Sequence, residues 1–87
     1  METKDLLTER GKTHGDFSDH AMITQGIKNL MRLMRKQGWE NLPLTQRESL
    51  DMIAHKIGRI LAGDPNFRDH WDDIAGYAKL VADRCSK

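Results

Sequence analysis

The chain has 87 residues, of which 38% are hydrophobic and 31% charged, and its formal net charge is +1. This length predicts one domain, residues 1–87, and the composition is typical of a globular chain. The near-zero charge gives no strong field for nucleic acid or for a membrane surface, so neither is expected as a partner. No signal-peptide pattern or membrane-spanning apolar run is seen, and the single Cys85 favours a reducing compartment. We therefore expect a cytoplasmic protein, and the host cytoplasm if a phage encodes it.

Helical periodicity predicts the first half of the chain as two helices. A short helix over Thr3–Arg10 ends at Gly11, and residues 12–16 form a turn-rich link. A long second helix runs from about Phe17 to Gln37, because its apolar residues share one face at helical spacing. Gly38 is a typical C-terminal stop for that helix.

The third helix has the clearest predicted start. Residues 45–48, Thr-Gln-Arg-Glu, fit a capping box, in which the threonine hydroxyl and the glutamate satisfy free backbone amides. An apolar stripe follows from Leu50 to Leu61, and Gly63 ends the helix. The preceding residues 39–44 are expected to form a connector that folds Trp39 back on the core.

A fourth helix completes the predicted fold. It begins near Asn66 or Phe67 and keeps its apolar residues at 3.6-residue spacing as far as Cys85. No β-branched alternation predicts a strand. Three long amphipathic helices with short links, plus the short N-terminal helix, predict an all-α, small antiparallel helical bundle.

Two acidic stripes are the first candidate site. At about 100° per residue, each stripe occupies one arc of its helix: Glu48, Asp51, His55 and Arg59 on the third, and Asp69, Asp72 and Asp73 on the fourth. Carboxylates from two facing helices suit a hard divalent cation. We therefore expect Glu48, Asp51, Asp69 and Asp72 to bind Mg²⁺ or Mn²⁺. The alternative is that both stripes only face water.

A second candidate site is basic. Arg10, Lys12 and His14 cluster with two glycines in the first link, where cations and exposed backbone amides form a plausible anion site. Together with Lys56 and Arg59 of the third helix, they are the predicted phosphate-binding residues. The alternative is a mobile link whose charges serve solubility.

The remaining polar residues predict less. The four histidines lack the spacing of a zinc site, and His20 is interpreted as a surface or boundary residue. The serines and Cys85 have no evident histidine-carboxylate partners, so no nucleophile is predicted.

Beyond these patterns, three stretches resemble an uncharacterised family of small phage and prophage proteins: residues 13–17 (THGDF), 48–64 (ESLDMIAHKIGRILAGD) and 69–77 (DHWDDIAGY). This resemblance spans nearly the whole chain and implies no established activity. More distantly, the chain resembles the MazG-like all-α nucleoside triphosphate pyrophosphohydrolases. Those enzymes hold Mg²⁺ between an E-x-x-E pair on one helix and an E-x-x-D pair on the next.

The MazG-like resemblance implies roles for individual residues. Glu48-x-x-Asp51 would be the first metal-binding pair and Asp69-x-x-Asp72 the second, with Glu48 and Asp72 as catalytic residues. Asp51 and Asp69 stand where that family has glutamates, which shortens each side chain by about 1.5 Å.

Three functions follow as hypotheses. The first is a protein that binds a nucleotide or nucleotide-like phosphate ligand and can act as an Mg²⁺-dependent pyrophosphohydrolase. The second is a non-enzymatic phage anti-defence protein that sequesters a nucleotide signal or blocks a host protein. A structural or DNA-associated module is the least favoured. We also expect a homodimer or higher oligomer, with Met22, Leu33 or Tyr77 and Leu80 in the contact, because they lie outside the main apolar stripes.

Overall fold

The computed structural model of the chain describes residues 3–87, which form five α-helices and no strand. The helices are α1 (Thr3–His14), α2 (Phe17–Leu33), α3 (Lys36–Glu40), α4 (Leu44–Ala62) and α5 (Arg68–Ala82). The predicted all-α fold class is therefore confirmed. Within residues 3–87, no helix is long and apolar enough to cross a membrane.

Helix α1 is one turn longer than the sequence pattern predicts. It continues through Gly11 and ends at His14, so most of the predicted link is helical. The helix stops at Gly15, whose φ of 80° lies in the left-handed region that glycine adopts without strain. The Gly15 amide closes the last turn by donating to the Gly11 carbonyl at 3.0 Å.

The predicted second helix is in fact two helices. Arg35, with φ −140° and ψ 76°, leaves the helical region and separates α2 from α3. Gly38 lies inside α3, so its prediction as a helix stop is wrong. A Cβ on Gly38 would lie 2.7 Å from Nη1 of Arg35, so glycine makes room for that side chain. The guanidinium of Arg32 stacks 4.4 Å from the ring centroid of Trp39.

The predicted capping box at the start of α4 does not form. The helix begins at Leu44 with Pro43 as its N-cap residue, and no side chain caps it. The Pro43 carbonyl instead accepts hydrogen bonds from the amides of Gln46 and Arg47, at 3.0 and 3.1 Å. Proline fixes φ near the helical value, and the N-cap at Pro43 lies two residues before Thr45, the N-cap of the predicted capping box.

The three long helices form an open layer. Helix α4 lies in the middle and packs extensively against α2 on one side and α5 on the other. Two ion pairs mark the contacts: Arg32 with Asp51 joins α2 to α4, and Lys56 with Asp73 joins α4 to α5, each at 2.8 Å. Helix α1 packs on the α2–α4 pair. Of the hydrophobic residues described, only Ala54 and Ile60 are buried.

Candidate anion-binding site

The C-terminal end of α1 is held against the α4–α5 connection. The Thr13 carbonyl accepts hydrogen bonds from the Asp64 amide at 3.2 Å and from Nε2 of His70 at 2.9 Å. Two glycines let the backbones meet: a Cβ on Gly63 would lie 2.5 Å from the Thr13 carbonyl oxygen, and one on Gly15 would clash with the Ala62 carbonyl. These contacts fix α1 across the end of the helical layer.

A cavity of about 440 Å³ lies at this junction. This volume falls within the roughly 300–1,000 Å³ range of small-molecule sites. The lining comes from α1, the start of α2 and the end of α4: Leu7, Arg10, Gly11, His14, Gly15, Asp16, Phe17, His20 and Arg59. It therefore contains two arginines, two histidines and one carboxylate.

The two arginines are the main charged groups of the cavity. Across residues 3–87, neither Arg10 nor Arg59 forms an ion pair. Burial, followed by the charge of Arg10, lowers the pKa of Arg59 from its ordinary value. A guanidinium keeps its charge even so. The cavity thus holds two repelling cations without a carboxylate bound to either.

The two histidines of the cavity are biased toward the neutral form. Burial is the largest cause that lowers the pKa of His14, followed by the charge of Arg59. The same two causes, in the same order, lower the pKa of His20. Oγ1 of Thr13 lies 2.5 Å from Nδ1 of His14, whereas Nε2 of His20 is buried without a hydrogen-bond partner.

Apolar side chains border the charged part of the cavity. Leu7 and Phe17 both line it and are mostly exposed. The Phe17 ring is edge-on to the His20 ring, with 6.5 Å between centroids. Asp16 also lines the cavity and accepts a hydrogen bond from the Asp19 amide at 3.3 Å, as the N-cap of α2. A ligand in this cavity would therefore meet two cations, one carboxylate and an apolar border.

The structure brings together three of the five predicted phosphate-binding residues. Arg10, His14 and Arg59 line the cavity, as part of one surface. Lys12 is exposed and does not line it. Lys56 is buried, with its ammonium 2.8 Å from the Asp73 carboxylate, so it serves the α4–α5 contact instead.

Sequence reasoning missed two residues of this site. His20 was interpreted as a surface or boundary residue, but it is half-buried and lies beside the His55 ring, with 5.7 Å between centroids. The sequence pattern predicts Phe17 only as the start of a helix. Both lie in the first turn of α2, directly after the N-cap Asp16, so the helix start itself was the signal that could have identified them.

The four predicted magnesium ligands, Glu48, Asp51, Asp69 and Asp72, do not lie together within one chain. Asp51 accepts two hydrogen bonds from Nη2 of Arg32, at 2.9 and 2.8 Å, and Asp72 pairs with Arg68 at 3.1 Å. Glu48 and Asp69 are exposed. No group of three or more His, Cys, Asp or Glu side chains within the described part of the chain could hold a metal ion. These donors do not fit a cation site in one chain, and Mg²⁺ or Mn²⁺ binding stays a prediction.

The register of α4 against α5 explains this separation. The Lys56–Asp73 ion pair sets which residues of the two antiparallel helices are level. At about 1.5 Å per residue, Glu48 lies about 12 Å from Lys56 toward one end of the layer. Asp69 lies about 6 Å beyond Asp73 toward the other end. Glu48 instead lines a shallow groove with residues of the last turns of α5.

No protein-family model matches this chain, and neither a curated protein nor a solved structure is detectably similar to it. Its function is therefore argued from the geometry and charge of the cavity.

Proposed function

We propose that the protein binds a nucleotide or nucleotide-like phosphate ligand in the cavity between α1, α2 and α4. The observation that carries this proposal is the pair of arginines, Arg10 and Arg59, which line one cavity without forming an ion pair. Some other cations, such as Arg32, Lys56 and Arg68, each contact an aspartate. Arg47 and Arg84 form no ion pair either, but they donate to backbone carbonyls and do not line this cavity.

The charge of the cavity favours an anion over a neutral ligand. Two guanidinium groups in one partly desolvated space repel each other, and a bound phosphate would remove that repulsion. Each guanidinium can donate two parallel hydrogen bonds to phosphate oxygens, a geometry that lysine cannot provide. When they are protonated, His14 and His20 add positive charge to the same cavity.

The apolar border favours a ligand that is larger than phosphate alone. The exposed ring of Phe17 offers a flat surface on which a base can stack, next to the cationic part of the cavity. Leu7 of α1 adds apolar surface on the same cavity. A nucleotide combines the two chemistries, because its phosphates are anionic and its base is planar and largely apolar on its faces.

Binding without hydrolysis is the form of this function that the geometry favours. The hydrolase hypothesis needs Glu48, Asp51, Asp69 and Asp72 to act together, and one chain does not bring them together. The phosphate-binding residues need no metal to neutralise a phosphate. We therefore propose a sequestering protein, in line with the anti-defence alternative, and expect pyrophosphate release to be absent.

Isothermal titration calorimetry can test the proposal with pyrophosphate and with ribonucleoside, deoxyribonucleoside and cyclic nucleotides. Each titration should be run in a chelator and again with Mg²⁺, and pyrophosphate release should be assayed in parallel. We expect the wild type to bind its ligand in buffer that contains a chelator, without Mg²⁺. Arg59→Gln and Arg10→Gln should each lower the affinity at least about tenfold, because a charge-assisted hydrogen bond contributes about 1.5–3 kcal/mol.

The matched control is Arg68→Gln, which removes an exposed arginine on α5 that lies outside the cavity. Its affinity should equal that of the wild type. If no phosphate ligand binds, or if all three variants bind equally, the proposal is wrong. Pyrophosphate release that requires Mg²⁺ and disappears in Glu48→Gln would establish the hydrolase instead.

A further inference from the structure

Three helices of the layer carry apolar side chains that no other described part of the chain covers. They are Leu30 and Met34 on α2, Leu50 and Leu61 on α4, and Trp71 and Ile74 on α5, here called the apolar face. Met34 is 80% exposed, Leu61 66% and Leu30 62%, and only Ile74 of the six is half-buried. These are residues of the main amphipathic stripes, which would form the core of a closed bundle.

The contacts between helices place these stripes on one side of the layer. On α4, Leu50 and Leu61 lie about 90° around the helix from Asp51, which faces α2, and about 130° from Lys56, which faces α5. On α2, Leu30 and Met34 lie about 160° around the helix from Arg32, which pairs with α4. On α5, Trp71 and Ile74 lie about 160° and 100° from Asp73, which also pairs with α4. Helix α4 runs antiparallel to both α2 and α5. When this direction is combined with the three sets of angles, the apolar residues of all three helices lie on the same side of the layer.

A groove between α4 and α5 shows the same arrangement directly. Leu50 and Ile53 of α4 line it together with Ala78 and Ala82 of α5. The ion pair between Arg32 and Asp51 lies toward the opposite side of the layer, by the same angular argument. The layer is therefore amphipathic as a whole, with one apolar side and one charged side.

The surface area of the chain indicates how much of it a partner would cover. The accessible surface is 6472 Å². A compact monomer of 10.0 kDa exposes about 5,200 Å². The radius of gyration is 14.8 Å, whereas a compact chain of this length has about 12 Å. The excess of about 1,200 Å² exceeds the roughly 800 Å² that each partner buries in a standard interface.

We propose that a second copy of this chain covers the apolar face, so that two open layers stack into one closed helical core. A single chain with Ala54 and Ile60 as its only buried hydrophobic residues in the described range has too small a core to offset the entropy cost of folding. Its partner must therefore be present whenever the chain folds. A second copy always meets that condition, whereas a heterologous protein does not.

The apolar face is not the contact expected from the sequence, which has Met22, Leu33 or Tyr77 and Leu80 in the interface. Met22 and Leu33 belong to α2, as does Leu30 of the apolar face, and Met34 is the C-cap residue of that helix. Met22 and Leu33 are both exposed. Leu33 lies about 100° around α2 from Met34. Met22 and Met34 are twelve residues apart and thus about 120° apart around the helix. This difference provides a matched pair of variants on one helix.

Sedimentation equilibrium of the full chain, at about 1–100 μM, tests the proposal together with thermal melts over the same range. We expect twice the mass of the chain, and a melting temperature that falls by about 3–6 °C for each tenfold dilution. Met34→Glu should weaken self-association by at least tenfold, whereas Met22→Glu should leave it unchanged. Leu61→Glu should repeat the effect of Met34→Glu from a different helix.

A folded wild-type monomer whose melting temperature does not depend on concentration would overturn the proposal. A different protein would then be the candidate partner for the apolar face. Aggregates without a defined stoichiometry would also overturn it. Equal effects of Met22→Glu and Met34→Glu would place the interface elsewhere. If Met34→Glu does not fold, the dilution series on the wild type still decides, because only association makes the melting temperature depend on concentration.

Discussion

The carbonyl oxygen of Thr13 accepts a hydrogen bond from Nε2 of His70, 57 residues later in the chain, at 2.9 Å. The acceptor is a carbonyl, so Nε2 of His70 must carry the proton. His70 is 1% exposed, and its ring contacts the rings of His14 and Phe67. One buried side chain of α5 thus holds the end of α1, and with it one wall of the cavity.

Replacing His70 should therefore damage both stability and ligand binding. We expect His70→Ala to cost about 2–4 kcal/mol, because it leaves a cavity and removes a buried hydrogen bond. His70→Gln should recover part of the loss, since its amide nitrogen can donate to the same carbonyl. Chemical denaturation measures the stability, and pyrophosphate titration measures the cavity. A His70→Ala variant as stable as the wild type would contradict this role.

Gly15 makes a second contact that the cavity requires. Its φ of 80° and its close approach to Ala62 both exclude a side chain. We expect Gly15→Ala to cost at least about 1–2 kcal/mol, from the left-handed conformation alone, and to weaken phosphate binding by displacing His14. The measurement is a pair of denaturation curves with the corresponding ligand titrations.

Gly26→Ala is the control for this prediction. Gly26 lies within α2, and a Cβ there would meet no atom within 4 Å. We expect that variant to gain about 0.5–1 kcal/mol, because alanine loses less conformational entropy in a helix than glycine does. A Gly15→Ala variant that gains stability as Gly26→Ala does would show that the backbone contact at Gly15 is unimportant.

The helices could be predicted from the sequence because helical periodicity and glycine stops are local signals. The errors lie where a neighbouring side chain or an alternative helix start overrides the local signal. Gly38 was predicted to end a helix, but it makes room for Arg35 inside α3. Thr45 fits a capping box locally, yet Pro43 starts the helix before it. The open layer could not be predicted, because stripe positions do not show which faces a single chain leaves uncovered.

The candidate site could be predicted only in part, for a related reason. Arg10 and His14 were identified as anion-binding residues because they cluster in sequence. Arg59 is predicted as a phosphate-binding residue from its position on the polar arc of the third helix. The structure places Arg10, His14 and Arg59 in the lining of one cavity. The predicted magnesium cluster depended on the register between two helices, which the sequence pattern does not specify. The Lys56–Asp73 contact sets that register.

Asp73 should contribute to stability in a pH-dependent way. Its hydrogen bond from Lys56 is the largest cause that lowers the pKa of Asp73 below its ordinary value of 3.8. A carboxylate with a lowered folded-state pKa stabilises the fold above the unfolded-state pKa, and this contribution is lost as the pH falls through the folded-state value. Asp73→Asn should therefore be less stable than the wild type at neutral pH, and the difference should shrink below about pH 4.

The control for Asp73 is Asp72→Asn on the next residue. Asp72 pairs with Arg68, and both side chains are mostly exposed, so the contribution of this pair should be small. Asp73→Asn additionally leaves the buried ammonium of Lys56 without its carboxylate. Urea denaturation at neutral and acidic pH compares the two variants. Equal losses at neutral pH would show that the Lys56–Asp73 pair is no more important than an exposed one.

The histidines should make stability and anion binding respond to pH in opposite directions. His14, His20 and His55 all have a pKa below the ordinary value of 6.5, with burial as the largest cause in each. Between that value and the lower folded-state pKa, the unfolded chain binds more protons than the folded one. The stability of the ligand-free protein should therefore fall as the pH drops below about 6.5.

Sulfate binding should increase over the same pH range, because protonated His14 and His20 add positive charge to a cavity that already holds Arg10 and Arg59. Sulfate is the suitable probe, since it keeps its double negative charge throughout. As the pH falls below about 6.5 and through the lowered folded-state pKa values, we expect its affinity to rise, by roughly tenfold once one histidine is protonated. His20→Gln should reduce this rise, whereas His55→Gln, outside the cavity lining, should largely keep it. An affinity that is constant with pH in the wild type would exclude both histidines from the anion site.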